Sequence, residues 1–519
     1  MKKSLIITFL LLFSSLLVTA TMNKLLKYFL GLLFFGILTP GFGQGQINYK
    51  ISYTNDLALN GLKVQISLQS QQETDSTCFF YANEVWGEKN LSRCVLFMQA
   101  ENPGYTFKIV ADSNRIIAYH PRSKNVSFYY RIRQDYPGDS VNIFFRPRVQ
   151  AKFIHILGES LFMVPEELFD NHVNNPVVSA DIEWADFPNG YVIHNSFGSN
   201  QKRQVLKVDL WRELYHSLFI GGDYRIYQFQ CFGKPVYFAT RGEWQFFKDE
   251  KVFGILKNAI ATQRTFWDDK NVGYYTVIMT PTVSHADTSD KRQSISGTSV
   301  KQGFFIQSSN NPNNGWDDLK YLFNHELMHD WIGGKIKMSQ EELDYWFSEG
   351  FTDYYAYKNR LRDGDIGFKE WLDDFNNNIL ASNYKNPERN QPNASIKQNY
   401  WDNRNFKKIP YKRGAIFAFW LDNQILIASN YTRSLDDLMR DLLKTCTLEN
   451  KKFTNELFLN LTQKYLHRDI TDLFQKYIVE GADIEFNDAN LANGFTAQYD
   501  AKMPVIKGSE EVMKRYLIL

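Results

Sequence analysis

The sequence predicts an α+β protein in which a β-rich N-terminal half precedes a mainly helical half. Short alternating stretches separated by turn residues run through residues 45–240, and such alternation is typical of half-buried strands. After residue 241, apolar positions recur at helical spacing, above all between 315 and 480. Hydrophobic residues make up 44% and charged residues 22% of the 519 residues. These values are near the globular average and exclude disordered and collagen-like classes.

Two apolar segments near the start are typical of an export signal. Residues 4–18 follow Lys2 and Lys3, and a second copy of the same charge pattern begins at Met22. Each segment is short for a bilayer span but has the length of a signal-peptide core. We therefore predict a signal-peptide region over residues 1–43, with tandem starts, and an exported protein, periplasmic or extracellular. The alternative is an uncleaved membrane hairpin.

The remaining composition gives two further indications. The formal net charge is only +2, so there is no electrostatic case for a nucleic-acid partner. Cys78 and Cys94 flank a short stretch that could be a hairpin, and an exported protein could bridge them. Two reduced core cysteines are the alternative. Nothing in the pattern indicates an oligomeric state.

The chain is predicted to divide into a β-rich domain over 44–240, a mainly helical domain over 241–480 and a C-terminal tail over 481–519. In the second domain, residues 243–268 are predicted to form a helix, and the polar Ser/Thr-rich residues 281–302 are predicted to form a loop. The strand-like runs of the first domain are Ile47–Tyr53, Leu62–Leu68, Cys94–Met98, Tyr105–Val110, Ser127–Arg131 and Val141–Phe145. Regularly spaced short strands of this kind predict a sandwich or a saddle-shaped sheet.

The pattern HELMH at residues 325–329 carries the strongest chemical signal. On a helix, positions i and i+4 share a face, so His325 and His329 can present two imidazoles to one metal ion. Glu326 lies beside that face, where it can act as a base toward metal-bound water. Asp317 and Asp318 lie in the first turn of this predicted helix. The alternative is a pair of satisfied core histidines.

A second predicted helix, roughly 341–360, supplies the third ligand. Glu349 lies twenty positions after His329, a spacing that a helix–turn–helix hairpin can close. Catalytic zinc takes three protein ligands and keeps one position for water. We expect Gly350 to allow close approach to the first helix, and Asp353 to accept a hydrogen bond from a ligand imidazole. The alternative reading of both acids is a solvated face.

A third segment, PYKRGAIFAFWLD, places Tyr411 before an apolar helix that is predicted to open at Gly414. A phenol near zinc can donate a hydrogen bond to a developing oxyanion. A core tyrosine is the alternative for this residue, since the chain contains 29 tyrosines.

Together, HELMHDW, WFSEGFTDYYA and PYKRGAIFAFWLD resemble the gluzincin metallopeptidases, above all the glycyl aminopeptidase family and, more distantly, the aminopeptidase N family. The resemblance implies a saddle-like β domain before a thermolysin-like peptidase domain that acts on peptides. It implies one zinc ion per chain, bound by His325, His329 and Glu349. Glu326 would be the general base, and Tyr411 would stabilise the transition state.

Two departures from the aminopeptidase N pattern affect specificity or ligand spacing. One more residue lies between His329 and Glu349 than in the aminopeptidase N pattern. The turn between the two helices can accommodate this extra residue. The candidate substrate loop, with Gly297, Thr298 and Ser299, contains no carboxylate to bind a free amine. An aminopeptidase therefore competes with an endopeptidase or blocked-peptide hydrolase of the same fold. A third alternative is a catalytically inert peptide-binding protein.

Overall fold

The computed structural model describes residues 45–110, 113–138, 145–168, 177–283, 291 and 293–517. The predicted signal region 1–43 lies outside these ranges, as do residues 141–144 of the predicted strand Val141–Phe145. Within the described ranges, no helix combines the length and the hydropathy needed to cross a bilayer.

The N-terminal half is built almost entirely of strands, as the alternating pattern predicts. In chain order they are β1 (Gln46–Ser52), β2 (Leu62–Phe80), β3 (Glu84–Val85), β4 (Glu88–Lys89), β5 (Val95–Leu96), β6 (Thr106–Ile109), β7 (Arg115–Ile132), β8 (Arg148–Val149), β9 (Phe153–Leu157), β10 (Val164–Pro165), β11 (Val177–Ala185), β12 (Val192–Asn195), β13 (Gly198–Ser199), β14 (Arg203–Asp209) and β15 (Leu218–Gly222).

Apart from β3 and β4, which pair with each other, these strands form two packed layers. The larger sheet has the order β14-β11-β1-β2-β7-β5, with β10 beside β2 and β6 beside β7, and the smaller one has the order β13-β12-β15-β9-β8. Ile47 and Ile66 of the larger sheet share one buried core with Ile154 and Phe219 of the smaller sheet. Alternate residues of β1 are buried, which places its apolar face on this core. The predicted sandwich is confirmed.

A third sheet begins the catalytic half. Its strands are β16 (Arg225–Cys231), β17 (Lys234–Thr240), β18 (Tyr275–Pro281), β19 (Ile295–Val300) and β20 (Gly303–Ser308). They have the order β16-β17-β18-β20-β19, so the sheet pairs strands from both sides of residue 240. Ile278 and Phe305 pack against Leu218 and Ile220 of the smaller N-terminal sheet.

The prediction of a loop over residues 281–302 is wrong for β19. Residues 295–300 pair antiparallel with β20, Gly297 opposite Ile306. The strand stands at the end of the sheet as described, where one face is partly open. An edge strand tolerates small polar side chains. The polar Ser/Thr-rich sequence of β19 therefore resembled that of a loop.

The helical half surrounds the HELMH segment at residues 325–329. In the part of the chain that the structure describes, the α-helices are α1 (Leu57–Asn60), α2 (Gly158–Leu161), α3 (Asp249–Phe266), α4 (Trp316–Met328), α5 (Tyr345–Ser348), α6 (Gly350–Arg362), α7 (Phe368–Asp374), α8 (Ser382–Tyr384), α9 (Asn393–Asn399), α10 (Arg404–Ala428), α11 (Leu435–Leu448), α12 (Asn455–Leu466), α13 (Thr471–Phe474) and α14 (Glu510–Leu517). The helix predicted over 243–268 is α3.

The segment predicted as a C-terminal tail is folded onto this half. It contains the hairpin β21 (Phe495–Asp500) and β22 (Met503–Gly508), followed by α14. The Tyr516 ring lies 5.0 Å from that of Trp371, and its hydroxyl contacts that of Tyr354.

In the first domain, Cys78 and Cys94 are both free thiols, so the structure contains no bridge between them.

Candidate metal centre

Helix α4 carries the HExxH pattern on its buried last turn. The Asp318 carboxylate accepts a hydrogen bond from the Gly315 N–H at 2.9 Å, which caps the first turn. Leu319 and Phe323 are fully buried and anchor the helix to the core. The helix ends at Met328, and His329 follows in helical conformation. His325 and His329 therefore keep the i, i+4 relation that the sequence predicts.

Three side-chain atoms converge beside α4. The Nε2 atoms of His325 and His329 lie 3.2 Å apart, and Glu349 Oε2 lies 3.5 Å and 3.7 Å from them. Ligands at about 2.1 Å from a tetrahedral zinc ion lie roughly 3.4 Å from one another. These separations, and the two-nitrogen, one-oxygen donor set, fit a zinc ion with a fourth position open.

The opposite ring nitrogens fix the orientation of both imidazoles. Nδ1 of His325 lies 3.0 Å from Asp353 Oδ1, and Nδ1 of His329 lies 3.2 Å from the Ile332 carbonyl oxygen. Both partners are acceptors, so in neutral rings each Nδ1 carries the proton. Each Nε2 then keeps its lone pair directed at the common point, as metal ligation requires.

The Asp353 carboxylate has more hydrogen-bond partners than the sequence predicted. Its side chain is 0% exposed and accepts hydrogen bonds from the Tyr321 hydroxyl and from Lys412 Nζ at 2.9 Å, besides that from His325. Tyr321 stands one helical turn before His325, so the spacing could have revealed it. Lys412 comes from α10, and no local pattern connects it to Asp353.

The electrostatics of the site favour a positive charge at the common point. Burial lowers the pKa of His325, but the hydrogen bonds that its imidazole donates to the carboxylates of Asp353 and Glu349 outweigh burial and raise the pKa to about 10. Burial opposes ionisation of Glu349, yet the two imidazoles hold the pKa of this carboxyl below its usual value. The fully buried Asp353 carboxylate and the partly buried Glu349 carboxylate therefore face the histidines, which is the charge balance that a cation centre needs.

Glu326 lies between the metal-binding face of α4 and strand β19. Burial raises the pKa of its carboxyl to about 7, opposed by the charge of His325 and assisted by that of Glu349. A base with a pKa near the working pH is suited to accept and return a proton. Gly297 of β19 faces this side chain directly. The candidate substrate residues Gly297, Thr298 and Ser299 thus lie on an edge strand beside the predicted base.

Tyr411 lies next to the ligands but inside a helix. Its ring is nearly parallel to that of His325, with centroids 6.0 Å apart. Burial, followed by the charge of Glu349, raises the pKa of the phenol well above its usual value, so the hydroxyl remains a donor. The prediction that Gly414 opens the helix is wrong, because α10 begins at Arg404 and contains Pro410. Pro410 lies inside this helix, where proline is disfavoured because it lacks a backbone N–H. The sequence therefore did not indicate a helix on both sides of Pro410.

Glycine contacts explain how Tyr411 reaches Glu349. A Cβ on Gly414 would lie 1.8 Å from the Trp346 carbonyl oxygen, and one on Gly350 would lie 2.4 Å from Gly414 Cα. Helix α10 therefore crosses the junction of α5 and α6, where Glu349 lies, in backbone contact. The prediction that Gly350 faces the HExxH helix is wrong, because its close neighbour is Gly414.

Comparison with known families agrees with this arrangement. Residues 298–477 match the family described as the Peptidase family M1 domain. The chain contains an M1-type zinc metallopeptidase domain of the gluzincin class. M1 gluzincin peptidases use zinc, in agreement with the His325, His329 and Glu349 donor set. The finer resemblance to the glycyl aminopeptidase family stays a prediction.

A likeness in fold to solved structures extends beyond the matched residues. The chain is similar to an aminopeptidase N family protein from Idiomarina loihiensis, with a TM-score of 0.69 at 16% identity, covering 87% of this chain and 79% of that one. It is also similar to an M1 zinc metallopeptidase from Deinococcus radiodurans, with a TM-score of 0.51 at 11% identity, covering 85% and 95%. At these identities the likeness concerns the fold. No curated protein matches the chain in sequence.

Proposed function

We propose that this M1-type metallopeptidase is an exported enzyme that hydrolyses peptide bonds, principally as an aminopeptidase. The observation that supports it most directly is the convergence of His325 Nε2, His329 Nε2 and Glu349 Oε2 within 4.8 Å of one another. Glu326 and Tyr411 stand beside this cluster with protonation properties suited to proton transfer and hydrogen-bond donation.

Each of these residues has a separate role in the proposed reaction. His325, His329 and Glu349 would hold the zinc ion, which when bound supplies a Lewis acid that makes water nucleophilic near neutral pH. Glu326 accepts the proton of the attacking water and returns it to the leaving amine. The Tyr411 hydroxyl donates a hydrogen bond to the oxyanion that develops from the scissile carbonyl.

Strand β19 is suited to bind the peptide backbone. It ends its sheet as described, it runs beside Glu326, and edge strands bind extended peptides by main-chain hydrogen bonds. Gly297, Thr298 and Ser299 would contact the substrate there. Because residues 294–300 contain no carboxylate, an endopeptidase or blocked-peptide hydrolase is the second candidate function.

The test is a panel of free and N-acetylated peptides assayed with the zinc-loaded protein and with Glu326→Gln. We expect hydrolysis by the wild type, with free amines preferred, and at least a thousandfold loss in kcat for Glu326→Gln at unchanged zinc content. Equal or faster cleavage of acetylated peptides would support the second candidate. Full activity of Glu326→Gln would refute the assignment.

Export forms a separate part of the proposal. It is supported by the charge and hydropathy pattern of residues 1–43. N-terminal sequencing of the protein recovered from outside the cytoplasm should yield a start near Gln44. An intact Met1 in the mature protein would refute it.

A further inference from the structure

A continuous row of aromatic rings connects the metal centre with the N-terminal half. The Tyr400 hydroxyl lies 3.4 Å from that of Tyr411. The ring of Tyr400 lies 5.0 Å from that of Trp401, and Trp401 lies 6.4 Å from Trp86 of the β domain. Trp86 in turn stacks on Phe145 at 6.2 Å. The two halves of the chain therefore meet through aromatic rings at one end of this row.

Burial changes abruptly along the row. Tyr400, next to Tyr411, is only 4% exposed, whereas Trp401 and Trp86 are each 43% exposed although they contact one another. Trp86 and Trp401 thus expose contiguous apolar surface, and contiguous exposed apolar surface marks binding sites more often than single exposed apolar residues do. The exposed faces remain available for another apolar group.

Several contacts hold the two indoles in place. Trp86 occupies the tip of the β3–β4 hairpin with φ of 50°, a conformation that costs free energy for a bulky residue. Glu88 of the same hairpin accepts a hydrogen bond from the Phe145 N–H at 3.0 Å. On the other side, Lys407 Nζ lies 5.5 Å from the Trp401 ring centre. A rigid pair of rings loses little conformational freedom when it binds a ligand.

The patch is within reach of a peptide held at the metal centre. The Tyr411 and Tyr400 hydroxyls lie 3.4 Å apart and the Tyr400 and Trp401 ring centres 5.0 Å apart. With the roughly 3 Å from a tyrosine hydroxyl to its ring centre, the separation is at most about 11 Å, the span of about three extended residues. On the basis of the proposed peptidase function, we infer that Trp86, Trp401 and Phe145 form a subsite for a large apolar or aromatic side chain of the peptide substrate. The subsite would bind a residue two or three positions from the scissile bond.

The test uses peptides of two to six residues in which Phe replaces Ser at one position at a time. We expect the wild type to gain in kcat/KM when Phe occupies one distant position, and Trp401→Ala and Trp86→Ala to reduce that gain about tenfold. Dipeptides and the all-Ser peptides should be cleaved at unchanged rates. Trp401→Phe should retain the gain. Phe232→Ala, which removes an aromatic side chain that is 44% exposed elsewhere, is the matched control.

In the kinetic assay, the inference would be overturned by an equal loss for all peptide lengths and positions, which indicates a packing role, or by no loss at all. Calorimetric binding of the same peptides to zinc-loaded Glu326→Gln separates the subsite from the proposed reaction. If the wild type hydrolyses no peptide but Trp401→Ala still weakens binding of the Phe peptide alone, the peptidase proposal fails and the subsite stands. Equal affinities for the Phe and Ser peptides in that variant would overturn the subsite.

Discussion

Gly297 and Glu326 are in such close contact that any larger residue at position 297 would require the side chain of the proposed base to move. A Cβ built on Gly297 would lie 2.6 Å from both Cγ and Oε1 of Glu326, well inside van der Waals contact. Gly297→Ala should therefore displace the Glu326 carboxylate. We expect kcat to fall at least tenfold while zinc content remains stoichiometric, measured by peptide hydrolysis and metal analysis.

Ser296→Ala is the matched control for Gly297→Ala, because it changes an exposed neighbour on the same strand. This control should retain activity within about twofold. Wild-type kcat in Gly297→Ala would contradict the proposal that the position of the Glu326 carboxylate limits the rate.

Lys412 should strengthen zinc binding without touching the metal. Its Nζ lies 2.9 Å from Asp353 Oδ2, while Asp353 Oδ1 orients His325. Changes to groups that orient a metal ligand typically weaken metal affinity 10–100-fold. Lys412→Met should therefore raise the zinc Kd about tenfold in chelator competition, and Lys412→Arg should restore much of the affinity. Lys408→Met, an exposed lysine of the same helix, should leave the Kd unchanged. Equal Kd values for Lys412→Met and the wild type would contradict the argument.

Tyr411→Phe should lower kcat with little change in KM. The phenol would donate to the oxyanion only in the transition state, and loss of one such donor typically costs about 100- to 1000-fold in kcat. Tyr400→Phe keeps the ring beside Tyr411 and removes only the 3.4 Å contact between hydroxyls, so it should cost less than tenfold. An equally large loss in both variants would indicate a packing role for Tyr411.

The site was predictable from sequence wherever its geometry is local. His325, Glu326 and His329 share one helical turn, and the helix–turn–helix spacing was enough to bring Glu349 to them. The partnership of Lys412 with Asp353 depends on the glycine-mediated crossing of α10 over α5 and α6, which no local pattern specifies. Likewise, β19 was mistaken for a loop because an edge strand tolerates the small polar residues that loops prefer.

The stability of the β domain should decrease as the pH rises, because of Glu159. This side chain is 5% exposed, and burial, then the charge of Glu88, raises the pKa of its carboxyl from 4.5 to about 8. Between these values the native state keeps a proton that the unfolded chain releases. The contribution of Glu159 is therefore fully present below pH 4.5 and declines by about 1.4 kcal/mol per pH unit up to pH 8.

Glu159→Gln cannot titrate, so its stability in urea should fall less between pH 5 and 8 than that of the wild type. The exposed Glu73→Gln serves as the control and should follow the wild type. Parallel pH profiles for Glu159→Gln and the wild type would show that Glu159 is already ionised in the folded protein.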